Sequence, residues 1–350
     1  MRAPRLIGDG RSFYHCVSRV VDRRLVFQAG EREVFRSILR KLEAFSGVRV
    51  ATYCLMGNHF HLLLEVPDRD TLPRLNAAEL LTALPLLYDC DTVEAIANEI
   101  GAAQAAGDAA WEKSILDRFE RRRGDLSIFL KDLKQRVTLF INKRFDRTGT
   151  LWEGRFKSML VEDGETALQT VAAYIDLNPV RAGLVSNPED YRWSGYGEAV
   201  AGGKGAQKAR CGLGSIQREG LESPGNEIGW NEVKDRYRRL LYIEGEERKG
   251  DTTTGAGARR GIDSAKVERV VTAGAVMSVP EVLLRKVRYF SDGTVLGSVA
   301  FVEKNFARMQ SLGHIGKKRQ SGARRMRGAD FGDLRVLRDL QVRVIGPPPE

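Results

Sequence analysis

Histidine is rare in this chain, yet two of its four histidines, His59 and His61, lie two residues apart. Residues two apart on a β-strand point to the same face, so both imidazoles are expected to project together while Phe60 and Leu62 face the other way. Neutral imidazole is a common metal ligand, and two on one face can bind a single divalent ion. Taken alone the pattern is short, and two hydrogen-bonded histidines on a polar sheet face explain it better.

A second pair of chemically able side chains lies on a predicted helix that begins at Thr166 and ends before Pro179. Tyr174 and Asn178 are four residues apart, so they share one face of that helix, at the edge of its apolar stripe. If the stripe packs on the sheet, Asn178 can offer a carbonyl oxygen as a third metal ligand and Tyr174 a phenolic oxygen beside the metal. Taken singly, Tyr174 is better explained as a half-buried aromatic residue and Asn178 as a helix C-cap.

A basic segment, residues 131–157, precedes this helix and contains two aromatic residues near its end. Such a mixture suits stacking of unpaired bases while lysine and arginine hold phosphates. The alternative is that the aromatic rings close the core and the charges form a solvated face. The candidate DNA-binding side chains are Trp152, Arg155, Phe156, Lys157, Lys143, Arg144 and Arg147.

The elements that must position these residues can be predicted from periodicity and turn signals. The sequence predicts strands over residues 12–20, 48–56, 59–66 and 155–161, and helices over residues 31–45 and 126–145. Gly57 and Asn58 join the second and third strands, a pair suited to a tight hairpin with positive φ. Strand, helix and hairpin open an α+β sandwich with its helices on one sheet face.

The rest of the chain departs from this alternation. Residues 71–125 are rich in Leu and Ala and predict a helical insertion. Residues 198–262 predict a linker-containing helical segment, with a helix over 230–243. Residues 263–350 predict a basic and mainly helical C-terminal region, a candidate for DNA binding, with helices over 264–275 and 279–289.

Four stretches carry a resemblance to a known family. They are YHCVSRVVDRR at residues 14–24, YCLMGNHFHLLLEVP at 53–67, LWEGRFK at 151–157 and AYIDLNPVRAGLV at 173–185. In this order they resemble the HUH single-tyrosine transposases, and most of all the REP-associated tyrosine transposases and their insertion-sequence relatives. The resemblance covers residues 10–70 and 126–197. It implies that residues 1–70 and 126–197 form the catalytic core.

The resemblance also implies roles. His59 and His61 match the metal-binding histidines, Tyr174 the nucleophile and Asn178 the third metal ligand of the REP-associated group, where the insertion-sequence branch has Gln. It implies a ferredoxin-like antiparallel sheet, an HUH nuclease core that uses Mg²⁺ or Mn²⁺. The implied reaction is cleavage and rejoining of single-stranded or hairpin DNA through a 5′-phosphotyrosine intermediate.

Composition narrows the remaining function classes. The chain has 56 Lys and Arg against 46 Asp and Glu, a net charge of +10, which favours a polyanionic partner. The four cysteines lie far apart, which excludes a zinc module or a disulfide framework and predicts mostly buried thiols. No apolar run is long enough to span a membrane, and residues 1–10 lack a secretory pattern, so a cytoplasmic protein is expected.

Three other functions compete with the transposase. A domesticated hairpin-binding protein would keep the fold without turnover, and the complete set of His59, His61, Tyr174 and Asn178 argues against it. An HUH nuclease of replication-initiator type would share the chemistry. A zinc-dependent hydrolase lacks a third His, Cys or carboxylate at a recognised spacing. Monomer and homodimer are equally compatible with the sequence.

Overall fold

A computed structural model of the chain describes residues 5–203, 205–217, 229–244, 290, 293–316, 319–325 and 332–338. Its strands are β1 (Ser12–Arg19), β2 (Arg49–Leu55), β3 (His59–Val66), β4 (Lys157–Val161), β5 (Gly293–Gly297), β6 (Arg324–Arg325) and β7 (Arg335–Arg338). The four strands predicted from alternation are therefore present. Their observed bounds differ from the predicted ones by at most two residues at either end.

The described helices follow the apolar spacing of the sequence. They are α1 (Ala29–Ser46), α2 (Ala77–Ala83), α3 (Cys90–Ala105), α4 (Ala109–Glu120), α5 (Leu126–Arg144), α6 (Glu165–Asp176), α7 (Asn178–Arg181), α8 (Gly195–Ala201), α9 (Ala206–Gly214), α10 (Trp230–Glu244) and α11 (Val299–Ser311). None of these described helices combines the length and apolar character needed to cross a membrane. The helix predicted from Thr166 is divided, because α6 ends at Asp176 and α7 begins at Asn178.

The first four strands form a ferredoxin-like sheet. Within the seven-stranded sheet they lie in the order β2-β3-β1-β4, and each neighbouring pair is antiparallel. The crossovers α1 and α5 contact each other and bury Phe35, Leu39, Phe129 and Leu133 in one core cluster. The predicted α+β class and ferredoxin-like sheet are confirmed, because the two crossover helices pack together on one sheet face.

The opposite sheet face is also covered, which the sequence prediction did not include. Strand residues such as Phe13, Leu63 and Met159 pack there with the apolar faces of α6, α9 and α10. Side chains on β1 and β3 alternate between the two cores, so odd-numbered residues of both strands face α6. This second face holds the candidate site.

The C-terminal region extends the same sheet, although the sequence predicts it as mainly helical. β5 lies parallel to β4 and pairs with β7, and α11 follows β5 directly. Short strands of this kind form through pairing with a distant strand, which local patterns do not encode. The predicted helices over 264–275 and 279–289 lie outside the described residues, while the helix predicted over 230–243 is present as α10.

The β2–β3 hairpin forms where Gly57 and Asn58 predict it, but neither residue has a positive φ. The expectation of a positive-φ turn is wrong because other backbone groups fix this loop. The amide of Val20 donates to the Asn58 carbonyl at 2.8 Å, and the amide of Phe27 donates to the Gly57 carbonyl at 2.9 Å. Residues 20–27 therefore clamp the tip of the hairpin.

The cysteines agree only partly with the sequence prediction. All four are free thiols in the described structure, as expected. Cys16 and Cys54 are buried between strands and helices, whereas Cys90 and Cys211 are exposed on α3 and α9. The expectation of mostly buried thiols therefore holds for two of them.

Candidate active site

Two histidines of β3 meet the tyrosine of α6 on the second sheet face. The ring centroids of His59 and His61 are 5.1 Å apart, and those of His61 and Tyr174 are 5.8 Å apart. Strand alternation turns both imidazoles toward α6, while Phe60 between them lies in the opposite core. The structure thus brings together residues that are more than 100 positions apart in the chain.

A third histidine, His15 of β1, completes the cluster. Its Nε2 lies 3.0 Å from Nδ1 of His61, and its ring centroid is 5.9 Å from that of Tyr174. His15 is buried, with 1% of its surface exposed. The sequence alone favours an ordinary structural role for this residue, since the registry that places it beside His61 is not a local pattern.

Tyr174 is half-buried and enclosed by groups from other elements. The ring of Phe290 packs on it with centroids 4.7 Å apart, and the guanidinium of Arg181 lies 4.9 Å from its ring centroid. Arg181 also donates from Nη1 to the Tyr174 carbonyl at 2.8 Å. These contacts hold the tyrosine ring in place against the histidine cluster.

Asn178 lies at the junction of α6 and α7. Its Nδ2 donates to the carbonyls of Tyr174 and Ile175 at 2.8 and 3.2 Å, so the side chain caps the last turn of α6. That bonding turns the amide nitrogen toward the helix and the amide oxygen away from it. The capping role and a metal-ligand role of Oδ1 are therefore compatible in one side chain.

Burial keeps the histidines neutral at physiological pH. Burial lowers the pKa of His15 and of His59 to about 4, and the charge of Arg19 adds to the effect at His59. Burial also lowers the pKa of His61 well below its usual range, with further contributions from the neighbouring histidines and arginines. Neutral imidazole is the form that binds metal ions.

Two neutral imidazoles on one face fit a divalent metal. Metal–nitrogen distances of about 2.1 Å allow rings this close to share one ion. Within the described residues, no three His, Cys, Asp or Glu side chains are arranged to hold a metal. His15 does not supply a third ligand because its Nε2 is directed at His61. Among the described residues, any third protein ligand would therefore be of another type, such as the amide of Asn178.

Acid is expected to destabilise the chain through these histidines. Above the unfolded pKa of about 6.5 the folded and unfolded states are both neutral, so they contribute no pH dependence there. As pH falls from 6.5 toward 4, these histidines become protonated in the unfolded state but stay neutral in the folded state. Each histidine therefore lowers the free energy of unfolding by up to about 2 kcal/mol by pH 5. Asp176 opposes this trend, because burial raises its pKa to about 6 and its folded form binds a proton first.

Urea unfolding in a chelator at pH 7 and pH 5 measures this effect. We expect a net loss of stability at pH 5 and a smaller loss in His15→Leu, which removes one of the three groups. His314→Gln, outside the cluster, should retain the wild-type pH dependence. A wild-type free energy of unfolding that is flat between pH 7 and pH 5 would contradict the buried neutral histidines.

Trp152 does not belong to the candidate DNA-binding surface. It is 6% exposed and packs with Phe27 and Phe60, at centroid distances of 5.9 and 5.5 Å. Its Nε1 donates to the carbonyl of Lys134 and to Thr138, so the indole is satisfied inside the core. The proposal that Trp152 stacks on bases is wrong, and the core-closing alternative holds for this residue.

The other candidate DNA-binding residues divide by exposure. Arg155, Lys157 and Lys143 are exposed, whereas Phe156 is half-buried against the core. Arg144 is exposed but forms an ion pair with Glu31 at 2.5 Å. Arg147 is half-buried and donates to the Thr150 carbonyl at 3.1 Å.

Two arginines beside the site were not among the residues selected from the sequence. Arg19 pairs with His59 across β1 and β3, and its odd position places it on the same sheet face as the histidines. Arg181 contacts Tyr174. Arg19 lies four residues after His15 on one strand, so strand alternation alone would group the two, whereas the position of Arg181 depends on how α7 packs.

A ferredoxin-like sheet that carries a His-hydrophobic-His pair opposite a helix-borne tyrosine is the arrangement expected from the resemblance to HUH single-tyrosine transposases. Residues 11–76 match the family model described as "Transposase IS200 like". The matched segment contains β1, β3 and both histidines, and it ends before Tyr174. This part of the chain is therefore similar to the IS200-like transposases, in agreement with the resemblance of its motifs.

Two further comparisons concern curated proteins and solved structures. No curated protein matches the chain. A solved structure of a REP-associated tyrosine transposase bound to a REP hairpin matches with 14% identity and a TM-score of 0.37, over 57% of this chain and 86% of that one. A similarity of that size carries no argument about this chain.

Proposed function

We propose that this chain is a metal-dependent single-tyrosine DNA transposase that cleaves and rejoins single-stranded or hairpin DNA. The observation that carries the proposal is the approach of Tyr174 to His61, with ring centroids 5.8 Å apart, on the sheet face that also presents His59. A tyrosine oxygen can form a covalent intermediate when a nearby metal or base activates it, and two neutral imidazoles beside it can hold such a metal. The match of residues 11–76 to a transposase family model supports DNA as the substrate.

In the proposed reaction, the Tyr174 oxygen attacks the scissile phosphorus. The phenol loses its proton as a bond forms between its oxygen and the phosphorus. The bond to the 3′ oxygen breaks, and that oxygen takes up one proton, so the leaving strand ends in a 3′-hydroxyl. Because the 5′-phosphotyrosine keeps the energy of the phosphoester, a 3′-hydroxyl can reverse the step and join strands without ATP. The packing of Phe290 and Arg181 on Tyr174 orients the phenol for attack.

His59, His61 and the amide oxygen of Asn178 would hold Mg²⁺ or Mn²⁺. A bound divalent ion would polarise the phosphate and neutralise charge that develops in the transition state. The chain's own cations contribute to the same task, since Arg19 and Arg181 both lie beside the cluster and can bind phosphate oxygens. Positive side chains at the site also attract the DNA backbone.

The exposed basic side chains between α5 and β4 are proposed to hold the DNA strand. Replacing Arg155 or Lys157 with Ala should weaken hairpin binding and reduce the slope of log affinity against log salt by about 1 each. Arg144→Ala should have a smaller effect, because Glu31 already engages its charge. Fluorescence anisotropy with a labelled hairpin, at salt concentrations between about 50 and 200 mM, would measure these slopes.

Lys113→Ala is the matched control for these variants. Lys113 is exposed on α4 in the helical insertion and pairs with Asp117. It should leave both affinity and salt slope unchanged. Equal effects of Lys113→Ala and Arg155→Ala would show that binding depends only on total charge and would contradict the proposed surface.

The test of function is a cleavage assay on single-stranded hairpin DNA with Mn²⁺. Wild-type protein should convert labelled DNA into a covalent protein–DNA adduct that survives denaturing electrophoresis, and a chelator should prevent it. Hairpins that recur as inverted repeats near the gene are the natural substrates to try. A protein that binds hairpins tightly and never forms the adduct would instead be a domesticated DNA-binding protein.

A further inference from the structure

We propose that His15 and Asn58 are positioning residues that fix the tautomers of His61 and His59, so that both present Nε2 as the ligand atom. The inference rests on the proposed function, in which these two histidines bind a divalent ion. It assigns a task to two residues that act through the histidines to which they are hydrogen-bonded. Each relay ends on a backbone carbonyl, an acceptor that cannot donate a hydrogen bond.

The first relay runs from Phe290 through His15 to His61. Nδ1 of His15 lies 2.9 Å from the Phe290 carbonyl, so this nitrogen must carry the proton. In neutral His15 the other nitrogen, Nε2, is then an acceptor, and it lies 3.0 Å from Nδ1 of His61. Nδ1 of His61 must therefore donate, which leaves the lone pair of His61 on Nε2.

Ring geometry supports a hydrogen bond between the two imidazoles. The His15 and His61 rings are tilted by only 17°, with centroids 5.2 Å apart. That separation suits two rings joined edge to edge through a hydrogen bond better than rings stacked face to face. Both side chains are buried, so water does not compete for these nitrogens.

The second relay runs from Arg23 through Asn58 to His59. Nδ2 of Asn58 donates to the Arg23 carbonyl at 2.7 Å, which fixes the orientation of the amide. Oδ1 of Asn58 consequently faces Nδ1 of His59 at 2.7 Å. A carbonyl oxygen accepts only, so Nδ1 of His59 donates and its lone pair is also on Nε2.

The anchor of the second relay is a strained turn. Asp22 and Arg23 both have positive φ, 57° and 54°, a conformation that is costly for residues with a side chain. Backbone bonds from Val20 and Phe27 to the hairpin tip hold the turn there. Strain that neighbouring contacts maintain is typical of a functional position, and this turn aims the Arg23 carbonyl at Asn58.

Both relays place the proton on Nδ1 of the histidine and leave the lone pair on Nε2. Which nitrogen of a histidine binds a metal is set by the hydrogen bond that the other nitrogen makes. Side chains that orient a metal-binding histidine typically contribute a factor of about 10–100 in metal affinity. Loss of His15 or Asn58 should therefore weaken metal binding without removing a ligand.

Nitrogen-15 NMR of the metal-free full-length chain tests the tautomers directly. We expect His15, His59 and His61 to carry the proton on Nδ1, and His314→Gln removes the remaining histidine signal for assignment. Asn58→Ala should release His59 from this pattern while leaving His61 unchanged. A proton on Nε2 of His59 or His61 in the wild-type protein would overturn the inference.

Calorimetric titration with Mn²⁺ supplies the second readout. His15→Leu and Asn58→Ala should each lower Mn²⁺ affinity by about 10–100-fold. His15→Gln should recover much of the loss, because one amide can donate to the Phe290 carbonyl and accept from His61. Asn76→Ala, which removes the cap of α2 far from the site, should bind Mn²⁺ like wild type.

The outcomes separate this inference from the proposed function. Unchanged Mn²⁺ affinity in both His15→Leu and Asn58→Ala would overturn the positioning role, while the adduct assay on wild type could still succeed. A wild-type protein that binds no Mn²⁺ and forms no adduct would count against the proposed function itself. If His15→Leu fails to fold, Asn58→Ala and the wild-type tautomers still decide the question.

Discussion

Tyr174→Phe should abolish the covalent protein–DNA adduct, with a loss of cleavage of about 10⁴-fold or more. The phenylalanine ring keeps the contacts of Tyr174 with Phe290, His61 and the guanidinium of Arg181, since none of these ring contacts needs the hydroxyl oxygen. The substitution therefore removes the attacking atom and keeps these ring contacts. Hairpin affinity should stay within about threefold of wild type, because a single neutral hydroxyl contributes little to phosphate binding.

The measurement is denaturing electrophoresis of labelled hairpin after incubation with protein and Mn²⁺. Tyr88→Phe is a matched control, because Tyr88 lies in the helical insertion and its hydroxyl bonds to Arg122. That variant should form the adduct at the wild-type rate. An adduct that persists in Tyr174→Phe would assign the nucleophile to another residue, whereas loss of hairpin affinity together with cleavage would indicate a structural defect.

Placement of the histidine pair was predictable because it depends on one strand only. Alternation along residues 59–66 decides that His59 and His61 share a face and that Phe60 takes the other. The prediction needs no knowledge of the neighbouring strands, and β3 has the predicted bounds. The same holds for Tyr174 and its helix, because apolar residues three and four positions apart predict which face of the helix is buried.

The partners of that pair were not predictable in the same way. His15 reaches His61 through the pairing of β1 with β3, and Phe290 reaches His15 across 275 positions of the chain. No local sequence pattern encodes either contact. The register of the strands, and the path by which a distant segment reaches the sheet, depend on the whole fold. From the sequence alone, a single histidine on a strand is therefore interpreted as structural, and its role becomes visible only from its contacts in the folded chain.

Trp152 illustrates the converse error. Its position beside basic residues is typical of a base-stacking surface, yet it fills the core between α5 and the rings of Phe27 and Phe60, and its Nε1 is bonded inside. Composition could not separate the two roles, since a buried aromatic ring and a stacking ring leave the same local pattern. The basic residues next to it do lie at the surface, so charge was the more reliable signal here.

Replacement of the histidines themselves gives the second large effect. His59→Ala should weaken Mn²⁺ binding by at least about 100-fold, since removal of a ligand costs more than removal of a residue that orients one. His59 is half-buried and its ring is hydrogen-bonded to the adjacent Asn58, so the folded state should lose little stability. Adduct formation should fall in parallel and recover partly at high Mn²⁺ concentration.

His61→Ala should have the same effect on Mn²⁺ affinity but a different effect on stability. His61 is 4% exposed, and its removal leaves Nε2 of His15 without the donor it has in the wild-type chain. An unsatisfied buried acceptor costs about 1–3 kcal/mol, and the cavity adds to it. Urea unfolding should therefore separate His61→Ala from His59→Ala, while calorimetry with Mn²⁺ should not. If His59→Ala binds Mn²⁺ as tightly as wild type, the metal does not lie on this face of the sheet, and the neutral imidazoles would need another explanation.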